Sequence, residues 1–380
     1  MTVDPEPVPS PRRVAVVGAG PAGLYAAEEL VRQDRTEVRV DLFDRLPTPY
    51  GLVRYGVAPD HQKIKSIIRQ LRRILDHPAI RFLGGVEFGT DVTRRDLLAH
   101  YDAVLYAAGA SVGRRLGVPG EELPGCCSAT DFVAWYSGHP DVTRPPLALD
   151  AERVAVVGAG NVALDVARVL TRSPAELERT DMPEPVLAAL RGSAVREVVL
   201  LARRGPEHAR FTAKELRELG ALDGVEVAVD PAVLPASDAG AAVGVGGRGL
   251  DLVRAVQANL RVLGEFAARG KRGAPAPRRI ELRFLARRTA CWGSGGSPVW
   301  RSSAPSALRT AGRPAPAHTR PCGSARCCTP SATAARRWTA FPSTPSAGWW
   351  PTTRAGSRRR TAPSAPASTS AAGSAAGPPA

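Results

Sequence analysis

Two stretches of this chain share one device, a continuous apolar run that breaks at once into glycines. Val14 to Gly23 reads V-A-V-V-G-A-G-P-A-G, and Arg153 to Ala167 reads R-V-A-V-V-G-A-G-N-V-A-L-D-V-A. An apolar run too short to span a membrane and closed by glycine predicts a buried parallel strand turning tightly into a helix. At the first turn Gly18 permits the sharp bend, Gly20 lets backbone approach a pyrophosphate, and Gly23 lets the helix pack closely. Pro21 and Ala22 open a helix whose free N–H groups face the phosphates. The second turn has Gly158 and Gly160, then Asn161 and Val162, with Ala163 in the third position. Two such turns about 140 residues apart predict two nucleotide sites on two doubly wound α/β domains.

The strand downstream of each turn separates them. After the first, apolar Leu24, Ala27, Leu30 and Val31 lie on one helical face, and the strand Val38 to Phe43 ends at Asp44, 21 residues beyond Gly23. That order suits a carboxylate on a ribose hydroxyl. After the second, the strand Glu197 to Ala202 ends in Arg203-Arg204. Guanidinium groups there suit a ribose 2′-phosphate, which favours NADP over NAD.

Between these landmarks, Arg45 to Ser66 has three prolines and two glycines and reads as a long, structured loop. Ile64, Ile67, Ile68, Leu71, Ile74 and Leu75 then fall at helical spacing, closed before Pro78. Ile80 to Val86 reads as a strand, as does Asp102 to Gly109, whose Ala-Ala-Gly end lets the chain pass close beneath a cofactor. A helix is expected over Glu207 to Leu219. Gly240 to Gly249 follows no strand and reads as a surface loop.

The formal charge of +15 belongs to one segment. Residues 282 to 380 hold 14 arginines, no lysine and no acid, while the first 281 residues hold 37 basic and 36 acidic side chains. A basic binding face of the kind that grips nucleic acid is therefore not indicated. No apolar run reaches the roughly 18 residues of a membrane span, and the first ten residues lack a leader pattern, so a cytoplasmic protein is expected. Cys126 and Cys127 are adjacent, which disfavours a disulfide between them, and the other four cysteines have no metal spacing. No metal site is expected.

The stretch P-T-P-Y-G-L-V-R-Y-G-V-A-P-D-H-Q-K-I-K-S at 47 to 66, both glycine turns, Arg203-Arg204-Gly205-Pro206, and Phe211-Thr212 with Glu215-Leu216-Arg217-Glu218-Leu219 together resemble the NADPH–ferredoxin reductases of the adrenodoxin reductase family, bacterial branch. The resemblance runs from about Arg13 to Leu285. It implies two Rossmann-like domains of the glutathione-reductase type, the N-terminal part of an FAD domain on residues 11–113 and a truncated NADP domain on residues 114–286, and a ferredoxin as electron acceptor for a monomeric enzyme. Carried over, FAD would be held at Gly18, Gly20, Pro21, Ala22 and Gly23, by Asp44, by Leu52 and by Val86. NADP would be held at Arg114, Gly158, Gly160, Asn161, Val162, Ala163, Arg203, Arg204 and Glu215. His61 matches the histidine of the family's A-P-D-H stretch, and with Glu215 it would either order the site or manage a proton there. Arg269, Lys271, Arg272, Arg278 and Arg279 are either a solvated charged loop or a surface for an acidic partner. Another two-dinucleotide flavoprotein would share the fold, although a disulfide reductase needs a redox cysteine pair beside the flavin.

Residues 287–380 do not fit this picture and read as a low-complexity, disordered basic tail. The tail has five of the six tryptophans and four of the six cysteines, yet no Ile, Tyr, Met, Asn or Gln. The family's closing stretch, of the type G-W-I-K-R-G-P-T-G, is missing. Read one base out of register, however, Ala367 to Ser374 permits Gly-Val-Tyr-Val-Ser-Gly-Trp-Ile, and Ala375 to Ala380 permits Arg-Arg-Gly-Pro-Thr-Gly. Ser331 to Ala335 likewise permits Val-Gly-Tyr-Arg-Gly. This pattern is that of a frameshift between about Ala286 and Cys291, which would leave the encoded enzyme short of FAD or inactive.

Overall fold

The computed structural model describes residues 10–110, 112–113, 115–235, 250–269, 276–294, 297–303 and 325–329. Both apolar runs form strands, and each becomes the hub of its own parallel sheet. In the first, β1 (Arg12–Val17) leads through α1 (Pro21–Arg32) to β2 (Val38–Asp44). Three short helices come next, α2 (Leu52–Tyr55), α3 (Gln62–Lys65) and α4 (Ile68–Leu75), then β3 (Ile80–Gly84), α5 (Arg94–His100) and β4 (Ala103–Tyr106). The sheet order is β3-β2-β1-β4, all parallel, with Val14 opposite both Val40 and Ala103. Apolar residues cover both faces. Val14, Val16, Leu42, Leu71 and Ile74 pack on the α1–α4 side, and Ala15, Val17, Phe43 and Leu97 pack on the α5 side. This two-sided burial is why β1 is apolar at every position from Val14 on, without alternation.

The helix expected over Ile64 to Leu75 is broken after Lys65 and resumes at Ile68. The break lets the segment turn from the second sheet's core, where Ala58 is fully buried, back onto its own. One charged residue sits inside the first sheet. Asp41 on β2 is buried, and it accepts hydrogen bonds from Arg81 Nε and Nη2 (2.9 and 2.8 Å) and from the Tyr101 hydroxyl (2.6 Å). These bonds offset the loss of hydration and tie β3 to β2.

The second body runs β5 (Cys126–Ser128), α6 (Ala129–Tyr136), β6 (Arg153–Val157), α7 (Asn161–Thr171), α8 (Pro174–Leu177), α9 (Glu184–Arg191) and β7 (Glu197–Leu201). It continues with α10 (Ala213–Leu219), β8 (Val225–Val229), α11 (Leu250–Arg269) and β9 (Arg278–Arg283). The helix expected from Glu207 starts later, at Ala213, because the Thr212 side chain accepts from the Glu215 N–H and caps it there. Its sheet is parallel, in the order β5-β12-β6-β7-β9-β8. Phe132, Tyr136, Leu164, Leu216, Leu263 and Ile280 are all buried in one large core on the helix side.

Strand β12 (Ala325–Thr329) belongs to the tail, as do β10 (Arg287–Ser294) and β11 (Ser297–Ser303), which pair with each other antiparallel. The expectation of disorder across 287–380 is thus narrowed. Backbone ladders form wherever an open edge accepts them, whatever the side-chain pattern, and β12 runs between β5 and β6. The remaining tail, with the stretches that hold the out-of-register motif, lies outside the described residues, and so do Gly240 to Gly249, Arg114, Lys271 and Arg272.

Candidate functional site

The two glycine turns are built alike. At the first, the Gly18 N–H donates to the Phe43 carbonyl (2.7 Å), and a Cβ on Gly18, whose φ is +109°, would lie 2.4 Å from the Ala107 carbonyl oxygen. A Cβ on Gly23 would meet the Gly18 carbonyl oxygen at 1.9 Å. Only glycine fits either place. Helix α1 starts with Gly20 as its N-cap and no side-chain cap, so the backbone N–H groups of Ala22 and Gly23 are left to whatever approaches the turn. Asp44 closes the site from β2. Its Oδ2 accepts from the Ala19 N–H (2.9 Å) and its Oδ1 from the Leu46 N–H (3.0 Å). The Tyr50 N–H donates to the Ala19 carbonyl (2.9 Å), which folds the long loop over the turn, and Leu52 beside it is 63% exposed. The Val86 N–H donates to the Asp44 carbonyl (3.0 Å), placing Val86 at the same rim.

At the second turn the Gly158 N–H donates to the Leu201 carbonyl (3.0 Å), and α7 again begins without a side-chain cap. Asn161 is engaged elsewhere, its Oδ1 accepting from the Thr212 N–H (2.9 Å). Val162 is 46% exposed and Ala163 is fully buried. Arg203 and Arg204 come just after β7, both are exposed, and neither meets a carboxylate among the described residues. Two uncommitted guanidinium groups beside an uncapped helix N-terminus form a site of strongly positive potential.

His61 and Glu215, 154 positions apart in sequence, are brought together, with His61 Nε2 3.1 Å from Glu215 Oε2. Around them lies a set of charges that the sequence alone did not reveal. Arg168 on α7 is 1% exposed. Its Nε and Nη2 donate to the two oxygens of Asp60 (2.5 and 3.2 Å), and Nη2 also reaches Asp165 Oδ1 (2.6 Å) and His61 Nε2 (2.5 Å). Arg172 Nη1 donates to Asp60 Oδ2 as well (3.0 Å). The i, i+3 pair Asp165 and Arg168 interrupts a run of core residues on α7, which marks two charges in the core without naming their partners.

The charges act on one another. Burial opposes the ionisation of Asp60, and Arg168 and Arg172 outweigh it, holding that carboxyl below its usual range. The hydrogen bond to Asp165 raises His61 above the ordinary imidazole value, against its partial burial and the Arg168 charge. Burial pushes Glu215 up. Proton affinity is therefore concentrated on His61 and Glu215, the two residues that also meet across the bodies. His61, Asp165 and Glu215 offer ligand atoms within 4.8 Å of one another, a spacing that could suit a metal ion. Arg168 already supplies the cation there.

The basic cluster near the end of α11 divides. Arg278 Nη1 donates to the carbonyls of Thr171 and Arg172 (2.9 and 2.8 Å) and so caps the C-terminus of α7, while Arg279 is exposed and Arg269 pairs loosely with Glu265 at 3.9 Å. Cys126 and Cys127 lie on β5, in the second sheet, away from the first turn.

Residues 12–241 match the pyridine nucleotide-disulphide oxidoreductase family. The chain belongs to that family. Within it, the chain is 46% identical over 279 residues to the NADPH-ferredoxin reductase FprA of Mycobacterium tuberculosis, covering 72% of this chain and 59% of the relative. It is 54% identical over 221 residues to a probable ferredoxin/ferredoxin–NADP reductase of Mycobacterium bovis, covering 58% and 38%. The solved structure of Mycobacterium tuberculosis FprA in complex with NADPH superposes with a TM-score of 0.73 at 38% identity, over 85% of this chain and 70% of that one. The chain thus spans about three fifths of the length of the NADPH-ferredoxin reductase it matches. Among the described residues no helix is long and apolar enough to cross a membrane.

Proposed function

We propose that this chain carries the dinucleotide machinery of an NADPH–ferredoxin reductase, a cytoplasmic monomer in which hydride passes from NADPH to FAD and electrons then leave singly to an iron–sulfur ferredoxin. The observation that carries the reading is the meeting of His61, from the loop after the first turn, with Glu215, from the helix after the second, at 3.1 Å, each turn leading into a helix without a side-chain cap. The relatives' names support the substrates.

FAD would lie on residues 11–113, its pyrophosphate against Gly18, Gly20, Pro21, Ala22 and Gly23, with Asp44 at the adenosine ribose and Leu52 and Val86 toward the flavin. The close glycine turn and the exposed Leu52 fit a flat aromatic group at that rim. NADPH would lie on residues 114–286, its pyrophosphate against Gly158, Gly160, Asn161, Val162 and Ala163, with Arg203 and Arg204 on the 2′-phosphate. Arg114 would be a further contact. The cofactors supply the hydride and single-electron chemistry, and the protein supplies position and charge. His61 and Glu215 would orient the nicotinamide and hold a proton at Nε2 or at the carboxyl. A titration of NADPH against NADH tests this: binding that does not discriminate between them would remove the role of Arg203 and Arg204.

A second reading concerns the chain as written. Strand β4 is an edge of its sheet among the described residues; Val104 and Leu105 are half-buried against the two cores, while Ala103 and Tyr106 at its ends are exposed, Tyr106 at 37%. An apolar sheet edge is one a further strand ordinarily covers. Together with the out-of-register motif, this favours a frameshift near residues 286–291 that leaves the FAD crevice open on one side and FAD binding weak. Sequencing the gene decides it, since a clean in-frame read through that window would discard the frameshift.

A further inference from the structure

Arg168 is the most buried charged side chain among the described residues, and nothing in the proposed hydride transfer requires it. Its surroundings come from four elements. Asp60 and His61 precede α3, Asp165 and Arg172 flank it on α7 and its end, Glu215 and Glu218 lie on α10, and Tyr136 of α6 has a fully buried hydroxyl with no hydrogen-bond partner. Glu218 Oε2 faces His61 Nδ1 at 3.7 Å, and Arg168 Nη1 faces Glu215 Oε2 at 3.6 Å.

The atom that matters is His61 Nε2. It lies 3.1 Å from Asp165 Oδ1, 3.1 Å from Glu215 Oε2 and 2.5 Å from Arg168 Nη2. When Nε2 carries a proton it can donate to either carboxylate. When it does not, its lone pair accepts from Arg168. An N–H of Arg168 and a proton on Nε2 compete for one lone pair, so the guanidinium opposes what the carboxylates favour. The same guanidinium also grips Asp60 through two nitrogens, and Asp60 is the residue next to His61 in the chain.

We propose that Arg168 is a positioning residue that fastens the 57–66 segment to α7 and tunes the proton affinity of His61 from behind, without touching either nucleotide. This role rests on the reading of His61 given above, but it is tested without turnover, so the two fail separately.

The test uses the full chain. The imidazole of His61 is followed by NMR across pH, assigned by its loss in His61→Gln, and backbone amide exchange is followed over residues 57–66. In Arg168→Gln the opposing charge is removed while the surrounding carboxylates remain, and His61 should bind its proton about tenfold more tightly. Arg168→Lys keeps a charge but cannot fork across Asp60 and Asp165. There the His61 midpoint should stay near that of the unaltered chain, while amide protection over 57–66 falls by about tenfold or more. An unchanged or lowered His61 midpoint in folded Arg168→Gln would overturn the proposal. If that variant does not fold, unchanged protection of 57–66 in Arg168→Lys overturns it on its own.

Discussion

The first and second sheets start from the same seven residues, V-A-V-V-G-A-G, and end in different condition. Strand β6 has neighbours on both sides, β7 and β12, and its body carries a large core against α6, α7, α9, α10 and α11 and a smaller one of Ala155, Val157, Val199 and Leu201 on the opposite face. Strand β1 also has two neighbours, but one of them, β4, is an edge of the sheet among the described residues, with Ala103 and Tyr106 exposed at its ends. The same local pattern thus gives similar turns, while completeness depends on what arrives from far along the chain. The charges differ too: Asp44 is already bonded to the N–H groups of Ala19 and Leu46, whereas Arg203 and Arg204 stand open to solvent.

The largest effect expected from a substitution separates the two turns as structures. Gly18→Val places a β-branched side chain at φ +109° against the Ala107 backbone and should cost at least about 3 kcal/mol, by denaturant unfolding. Gly160→Ala meets open space at an extended backbone and should cost less than about 1 kcal/mol. Equal costs would contradict the close approach of the first turn to the Ala107 backbone.

Next in size is the charge contrast. Replacing Arg203 and Arg204 together by Ala should weaken NADPH by about 2–4 kcal/mol while leaving NADH within a few-fold, on the scale of lost charge-assisted hydrogen bonds. Asp44→Asn should leave that discrimination unchanged. Fluorescence titration reads both, and an equal loss for the two nucleotides would cancel the contrast.

A smaller effect depends on pH. His61 binds its proton more tightly in the folded chain than the ordinary value of 6.5, so its contribution is fully present below that value and is lost as pH rises through the raised folded one. Glu215, raised by burial, has the same sign and acts from 4.5 upward. Stability should therefore decline from mildly acidic toward alkaline pH, and His61→Gln should flatten the part above 6.5. A slope unaltered in that variant would show the site to be uncoupled from folding.

The smallest effect is at the surface. Arg45 pairs with Asp141 at 2.7 Å between two exposed side chains, and Arg45→Ala should cost no more than about 0.5 kcal/mol by thermal unfolding.

Both sheets' hubs, both turns, and the positions of Asp44 and Arg203-Arg204 at the strand ends were legible because each is a local pattern set within a few residues. Resemblance paired His61 with Glu215, and the fold then put them in contact. The network around Arg168 was not legible, because Asp60, Asp165, Arg168 and Glu215 converge only when α7 and the 57–66 segment pack together, and no spacing in the sequence encodes that. The helix start at Ala213 was misplaced by six residues because Thr212, not Glu207, supplies the cap. The strands in the tail were hidden for a different reason: composition says what a segment cannot bury, but it does not forbid a backbone ladder at an open edge.

On the reading proposed above, the glycine turn of the second body is in place while the flavin site of the first is half built. The FAD content of the purified chain, read from its flavin absorption against protein concentration, tests it most directly. A half-built site predicts a content well below one FAD per chain, rising to one when the reading frame is restored upstream of Cys291. A full complement of FAD in the chain as written would contradict it.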